Sequence, residues 1–159
     1  MKSAKCNRLE YYRSLYAQLK SGWQHATACY QHWVAARLTP GSRILDLGCG
    51  RGGIAERLHA QAWWTGVDPD GHSVQAHRLA TLPRGQADAC RLPFGDQSFD
   101  LVVASWVLEH LAAPQAAFRE ISRVLRSGGY FIFLTPNARH PIPRLAQVLA
   151  QFQRYVVPL

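Results

Sequence analysis

A chain of 159 residues, 48% apolar and 18% charged, has the size and balance to bury one core and no more. No stretch approaches the ~20 uninterrupted apolar residues of a membrane span, and Met1 to Arg8 leads into no apolar run of a secretory leader, so a cytoplasmic location is expected. The net charge of +8 comes from arginines spread along the chain, which argues for a basic, solvated surface and against specific nucleic-acid recognition.

Residues 8–20 place Leu9, Tyr12, Leu15, Tyr16 and Leu19 at helical spacing, and Ser21-Gly22 ends the pattern. A second helix is expected from about Gln24 to Arg37, stopping before the turn Thr39-Pro40-Gly41-Ser42. These aromatic-rich helices either cover a ligand site or pack on a sheet.

Ile44, Leu45 and Leu47 form a short apolar strand, and Gly48, Gly50, Gly52 and Gly53 turn the chain into a helix with Ile54, Ala55 and Leu58 on its buried face. A strand, a glycine turn and a helix in that order make a nucleotide site, because free amides and the positive end of the helix dipole converge on the loop. Gly48, Gly50 and Gly53 also satisfy the literal G-x-G-x-x-G dinucleotide pattern. Asp46 separates the two ligand classes. A carboxylate two residues before the first glycine repels a pyrophosphate and attracts a cation, such as the ammonium or sulfonium of S-adenosylmethionine. The alternative role for Asp46 is to bond loop amides only.

Trp63 to Val67 reads as a second strand, ending at Asp68, placed to accept the ribose hydroxyls of a nucleoside. A helix from Ser73 to Leu82 follows, with Pro69, Asp70 and Ser73 near its start, and then a short third strand, Gln86-Ala87, ending at Asp88. Asp88-Ala89 falls on the adenine side of the pocket. Residues 92–98 form a loop, and Phe99 to Ala104 is a near-continuous apolar run, the sign of a central strand covered on both faces. Ser105-Trp106 begins the turn out of that strand. Pro114 opens a helix striped by Phe118, Ile121, Val124 and Leu125; Ser127-Gly128-Gly129 stops it, and Tyr130 to Leu134 is the fifth strand. The pattern predicts an α/β fold: a Rossmann-like, doubly wound, mostly parallel sheet of about five strands with helices on both faces.

Cys6, Cys29, Cys49 and Cys90 stand far apart with no C-x-x-C pair, and the seven histidines show no ligand spacing. Neither a metal site nor a disulfide framework is expected. Cys49 inside the glycine loop reads as a small residue tolerated there rather than a nucleophile.

The phrases "ILDLGCGRGG", "GVDPD", "ADACRLPFGDQSFDLVVASWVLEHL" and "FREISRVLRSGGYFIFLTPN" resemble, in order and spacing, the class I S-adenosylmethionine-dependent methyltransferases, in particular the broad type-11 group that includes ubiquinone-biosynthesis-like and small-molecule methyltransferases. The resemblance covers roughly residues 40 to 137, and with the helical spacing on either side the chain is expected in three parts: N-terminal helices over 1–40, a cofactor-binding core over 41–137 and an amphipathic C-terminal helix over 138–159. The resemblance implies S-adenosyl-L-methionine as cofactor. Asp46, Gly48, Gly50 and Gly52, with Cys49 between them, correspond to the motif that holds the methionine part. Asp68 with the adjoining Pro69 corresponds to the ribose site, Asp88 and Ala89 to the adenine contacts, and Ser105 to a backbone position facing the methionine amine.

Transfer of a methyl group to an oxygen atom also calls for a base. His110 is the candidate, since Leu108-Glu109-His110-Leu111 follows the fourth strand at the pocket mouth and imidazole titrates near neutral pH; the alternative is local packing or capping. The expected partner is a small-molecule acceptor. Family members usually continue into two more strands beside the fifth, whereas this chain ends at Leu159. The fifth strand is therefore expected at a sheet edge, in a truncated product or a chain that pairs with a second copy or another protein. Residues 144–157, with Arg144, Arg154 and no acidic residue, either pack on the sheet or lie on an anionic membrane.

Overall fold

In the computed structural model, which describes residues 11–12 and 14–137, the apolar runs become five strands: β1 Arg43–Leu47, β2 Trp63–Asp68, β3 Arg84–Gln86, β4 Phe99–Ser105 and β5 Leu125–Leu134. Helical turns over 14–19 lead to α1 Ala26–Ala35, followed by α2 Ala55–Leu58, α3 Gly71–Gln75 and α4 Pro114–Val124. All four strand pairings are parallel, in the order β3-β2-β1-β4-β5. The chain direction across the sheet reverses between β1 and β4, and a crevice opens there at the carboxyl ends of the strands, where α/β sheets bind ligands. The expected doubly wound α/β architecture is what forms.

The twofold alternation of side chains along a strand sorts the core into two layers. Leu45, Leu47, Val102 and Ala104 face Ala117, Ile121 and Val124 of α4. Ile44, Leu101 and Val103 face the other way, against Tyr30 and Val34 of α1 and against Ile54 and Ala55. Each fully buried Val, Leu or Ile contributes about 1.5–3 kcal/mol of transfer free energy. The same alternation puts Asp46 and Ser105 on the α1 side of the sheet, because Asp46 follows Ile44 by two and Ser105 follows Val103 by two.

Several elements differ from the expected boundaries, each for a local reason. The second predicted helix is shorter at both ends: the His25 ring accepts the Thr27 amide at 3.2 Å and caps α1. The helix expected over 73–82 starts earlier and ends at Gln75. Asp70 caps it by accepting the amides of His72 and Ser73, and the Arg84 guanidinium then donates to the carbonyls of Val74, Leu79, Ala80 and Leu82 at 2.7–3.2 Å. The guanidinium thereby satisfies carbonyls of the stretch after Gln75, where no helical ladder forms. The third strand is Arg84–Gln86, with Ala87 outside it although its amide still donates to the Asp68 carbonyl.

Leu125 belongs to β5, not α4. It pairs with Phe99, and the next pair is Leu101 with Tyr130, so residues 126–129 bulge opposite Asp100. Ser127-Gly128-Gly129 therefore serves a bulge rather than a helix stop: Gly128 has φ +76°, and a Cβ on Gly129 would meet the carbonyl oxygens of Arg126 and Asp100 at 2.9 and 3.0 Å. Arg126 pairs with Asp100 there.

No helix is needed between β3 and β4. Arg123 of α4 donates to the carbonyls of Phe94 and Leu92 and pairs with Asp96 and Glu120, while Glu120 accepts the Leu92 amide at 2.7 Å. The hydrogen bonds from Arg123 hold the Glu120 carboxyl down at about 2.

The expected C-terminal helix, and with it the membrane contact through residues 144–157, lies outside the described residues. Among the described residues no helix is long and apolar enough to cross a membrane.

Candidate functional site

The site grows from the turn after β1. The amides of Gly48 and Cys49 both donate to the Val67 carbonyl, at 2.8 and 3.0 Å, and draw the loop across to the end of β2. Gly48 has φ +73°, and a Cβ there would sit 2.3 Å from Val107 Cγ2. The backbone can therefore approach Val107 only as glycine. Gly50 donates its amide to Asp68 Oδ2 and Asp70 donates to Asp68 Oδ1, both at 2.9 Å. Two amides thus aim the half-buried Asp68 carboxylate from the tip of β2.

Two cavities open along this turn. The smaller, about 480 Å³, has Tyr30, Asp46, Gly48, Cys49, Gly52 and Ser105 among its lining residues. The larger, about 650 Å³, is lined by Gly48, Asp68, Pro69, Asp88, Ala89 and His110 among others. Gly48 and Trp106 border both. The predicted binding residues are thus split into two adjacent groups, one at the tips of β1 and β4 and one beyond the tips of β2 and β3. Gly50 lines neither; it lies beneath Asp68 and orients it. Asp88 is exposed, with Oδ1 accepting the Cys90 amide at 2.8 Å, and Ala89 is buried beside it.

Asp46 is 4% exposed and its Oδ2 has no hydrogen-bond partner. Burial, and next the Asp68 carboxylate, push its pKa up to about 7. The alternative in which Asp46 only bonds loop amides does not hold for Oδ2. Tyr30 on α1 is buried beside the same cavity, with its hydroxyl also unpartnered; burial and then Asp46 push its pKa up. Burial, followed by the two carboxylates, pushes the Cys49 thiol up to about 12, which disfavours the thiolate. Ser105 ends β4, half-buried, on the Asp46 side. His110 is exposed in the single turn Leu108–His110 and borders the larger cavity, apart from Asp46. No group of three or more potential metal ligands gathers among the described residues.

Two further residues line these cavities, Tyr30 and Trp106. Tyr30 belongs to the second aromatic-rich helix, α1. Its signal was the four-residue spacing to the fully buried Val34, which fixes the inward face of α1. Trp106 has φ +60°, left-handed backbone that is unusual for a bulky residue and costs strain; its amide donates to the Leu134 carbonyl at 2.8 Å. Side-chain periodicity carries no trace of that conformation.

A family model described as a methyltransferase domain matches residues 45–133, more than half of the chain. The protein belongs to this methyltransferase family. The chain is 37% identical over 119 residues to the demethylmenaquinone methyltransferase of Mycobacterium tuberculosis, covering 72% of this chain and 49% of that one. It is 34% identical over 135 residues to a fatty-acid O-methyltransferase of Mycolicibacterium smegmatis, covering 80% of this chain and 49% of the other. Among solved structures, an S-adenosylmethionine-dependent methyltransferase from Mesorhizobium loti superposes with TM-score 0.56 at 29% identity, over 65% of this chain and 52% of that one. The chain spans about half the length of the curated relatives it matches.

The family's cofactor is S-adenosylmethionine, and the residues fit it. The buried, unpartnered oxygen of Asp46 suits an ammonium, Asp68 is pre-aimed by two amides, and Gly48 brings the backbone of the loop to the edge of both cavities.

Proposed function

We propose that this methyltransferase domain binds S-adenosylmethionine across the two cavities and carries its methyl group to a small-molecule acceptor of lipid-like or anionic character. The observation that supports the reading best is the buried carboxylate oxygen of Asp46 with no partner in the protein. A dinucleotide phosphate beside that carboxylate meets repulsion; a cationic amine completes it. Asp46, Ser105 and the glycine loop hold the amino-acid end, Asp68 and Pro69 the ribose, Asp88 and Ala89 the base.

When bound, the cofactor supplies a methyl group on a sulfonium leaving group, ready for in-line displacement by an acceptor lone pair. The chain's own work is alignment and exclusion of water: the apolar walls formed by Val107, Leu111 and Trp106 shield the crevice. His110, at the exposed rim of the larger cavity, is the proposed base for an oxygen acceptor entering from that side. Turnover unchanged in His110→Ala would retire that role.

The lipid-like or anionic acceptor draws support from the two relatives, a demethylmenaquinone methyltransferase and a fatty-acid O-methyltransferase, and from the net charge of +8. Calorimetric titration with S-adenosylhomocysteine and, separately, NADH tests the cofactor: binding of the first and not the second is expected, and the reverse overturns the proposal. A screen of acceptors with labelled cofactor then tests the transfer.

A second reading, a domain that acts only with a partner chain, rests on β5. Among the described residues this strand pairs only with β4, and Tyr130 and Phe133 are each 47% exposed on it. An apolar edge strand invites pairing with another chain. Sedimentation as a stable monomer with full acceptor turnover would remove this reading.

A further inference from the structure

We propose that Tyr30 of α1 is part of the cofactor site, its hydroxyl sharing with Asp46 the ammonium at the amino-acid end; this rests on the cofactor reading above. Two buried polar atoms without partners, the Tyr30 hydroxyl and Asp46 Oδ2, border one cavity. A buried polar atom left unsatisfied is costly, so two in one place mark a missing ligand. Among the described residues the other buried side-chain atoms without partners are Trp64 Nε1 and His77 Nε2, and neither residue lines the smaller or the larger cavity.

The chemistry of the pair is complementary to an ammonium. Asp46 offers a carboxylate, and a tyrosine hydroxyl accepts one hydrogen bond while donating another. An amine with three N–H donors satisfies both atoms at once, whereas a second carboxylate or a phosphate leaves Asp46 repelled. Tyr30 cannot easily turn away. It shares the inward face of α1 with Val34, which has no exposure, and packs in the layer that holds Ile44 and Val103. The N-terminal helix is thereby part of the binding wall and not a cover over it.

The test compares three ligands on the wild-type chain and on Tyr30→Phe by calorimetry. S-adenosylhomocysteine carries the amine, its des-amino analogue lacks only that group, and 5′-methylthioadenosine lacks the whole amino-acid end. Wild type should lose affinity on going to the des-amino analogue. Tyr30→Phe should bind S-adenosylhomocysteine roughly tenfold more weakly, the worth of one hydrogen bond to a charged group, and bind 5′-methylthioadenosine as wild type does. That last result also shows that the variant is folded. Equal loss for all three ligands, or no loss for S-adenosylhomocysteine, overturns the proposal. A wild-type chain that prefers the des-amino analogue overturns it without any variant. Failure of wild type to bind any of the three overturns the cofactor reading itself, and this proposal with it.

Discussion

The amide of Gly50 and the carboxylate of Asp68, eighteen residues apart in sequence, are joined by a 2.9 Å hydrogen bond that ties the glycine loop to the tip of β2. The other carboxylate oxygen accepts the Asp70 amide at the same distance. An asparagine offers one acceptor oxygen and turns an NH2 toward the second amide. Asp68→Asn should therefore lower stability by about 1–3 kcal/mol, the cost of one unsatisfied donor, and weaken S-adenosylhomocysteine at least tenfold. Thermal denaturation and calorimetry check this; unchanged stability would show that the loop is held by other means.

Gly48 faces two obstacles to any side chain: its φ of +73° and Val107 Cγ2 at 2.3 Å from a built Cβ. Gly48→Ala should cost about 1–2 kcal/mol for the left-handed backbone and about 1–3 kcal/mol for the overlap. Adding Val107→Ala should recover the overlap part and leave the backbone part. Urea denaturation of the single and double variants reads the difference as a non-additive pair.

Asp46 makes both stability and binding depend on pH. Its folded pKa is raised to about 7 from an ordinary carboxylate value of 3.8, by burial first and then by Asp68. The native state therefore holds a proton that the unfolded chain releases. This contribution to stability is complete below about pH 4, where both states are protonated, and drains away as pH rises to 7. Asp46→Asn should gain on wild type across that window and level off above it, read from urea midpoints. An amine ligand needs the ionised form, so wild-type affinity for S-adenosylhomocysteine should rise by up to tenfold per pH unit toward 7 and then flatten. The Tyr30 hydroxyl and the Cys49 thiol, both pushed up, stay neutral throughout. Affinity that is flat from pH 5.5 to 8.5 would remove Asp46 from the ammonium site.

Trp106 should reverse the usual ranking of alanine over glycine. At φ +60° an alanine keeps the left-handed penalty of about 1–2 kcal/mol and a glycine does not. Trp106→Gly should melt above Trp106→Ala, and both should weaken the ligand because the indole borders both cavities.

The sheet was legible because apolar runs such as Phe99 to Ala104 are long, and their order with the glycine turn admits few topologies. Asp46 and Asp68 were legible because a charge at the end of an apolar strand needs a reason. What escaped depends on contacts far apart in sequence. Arg84 satisfies carbonyls up to ten residues before it, in the stretch that leaves α3, and the bulge opposite Asp100 puts two glycines inside β5. Tyr30 meets Asp46 only once α1 has docked, and the spacing along α1 shows its face but not what that face meets.

Trp106 also gives the protein an optical reporter. Its indole is half exposed between the two cavities, whereas Trp63 and Trp64 begin β2 at the far end of the strand from Asp68. Emission from position 106 should change as a ligand displaces water from its faces, so occupancy of the crevice can be followed without a label.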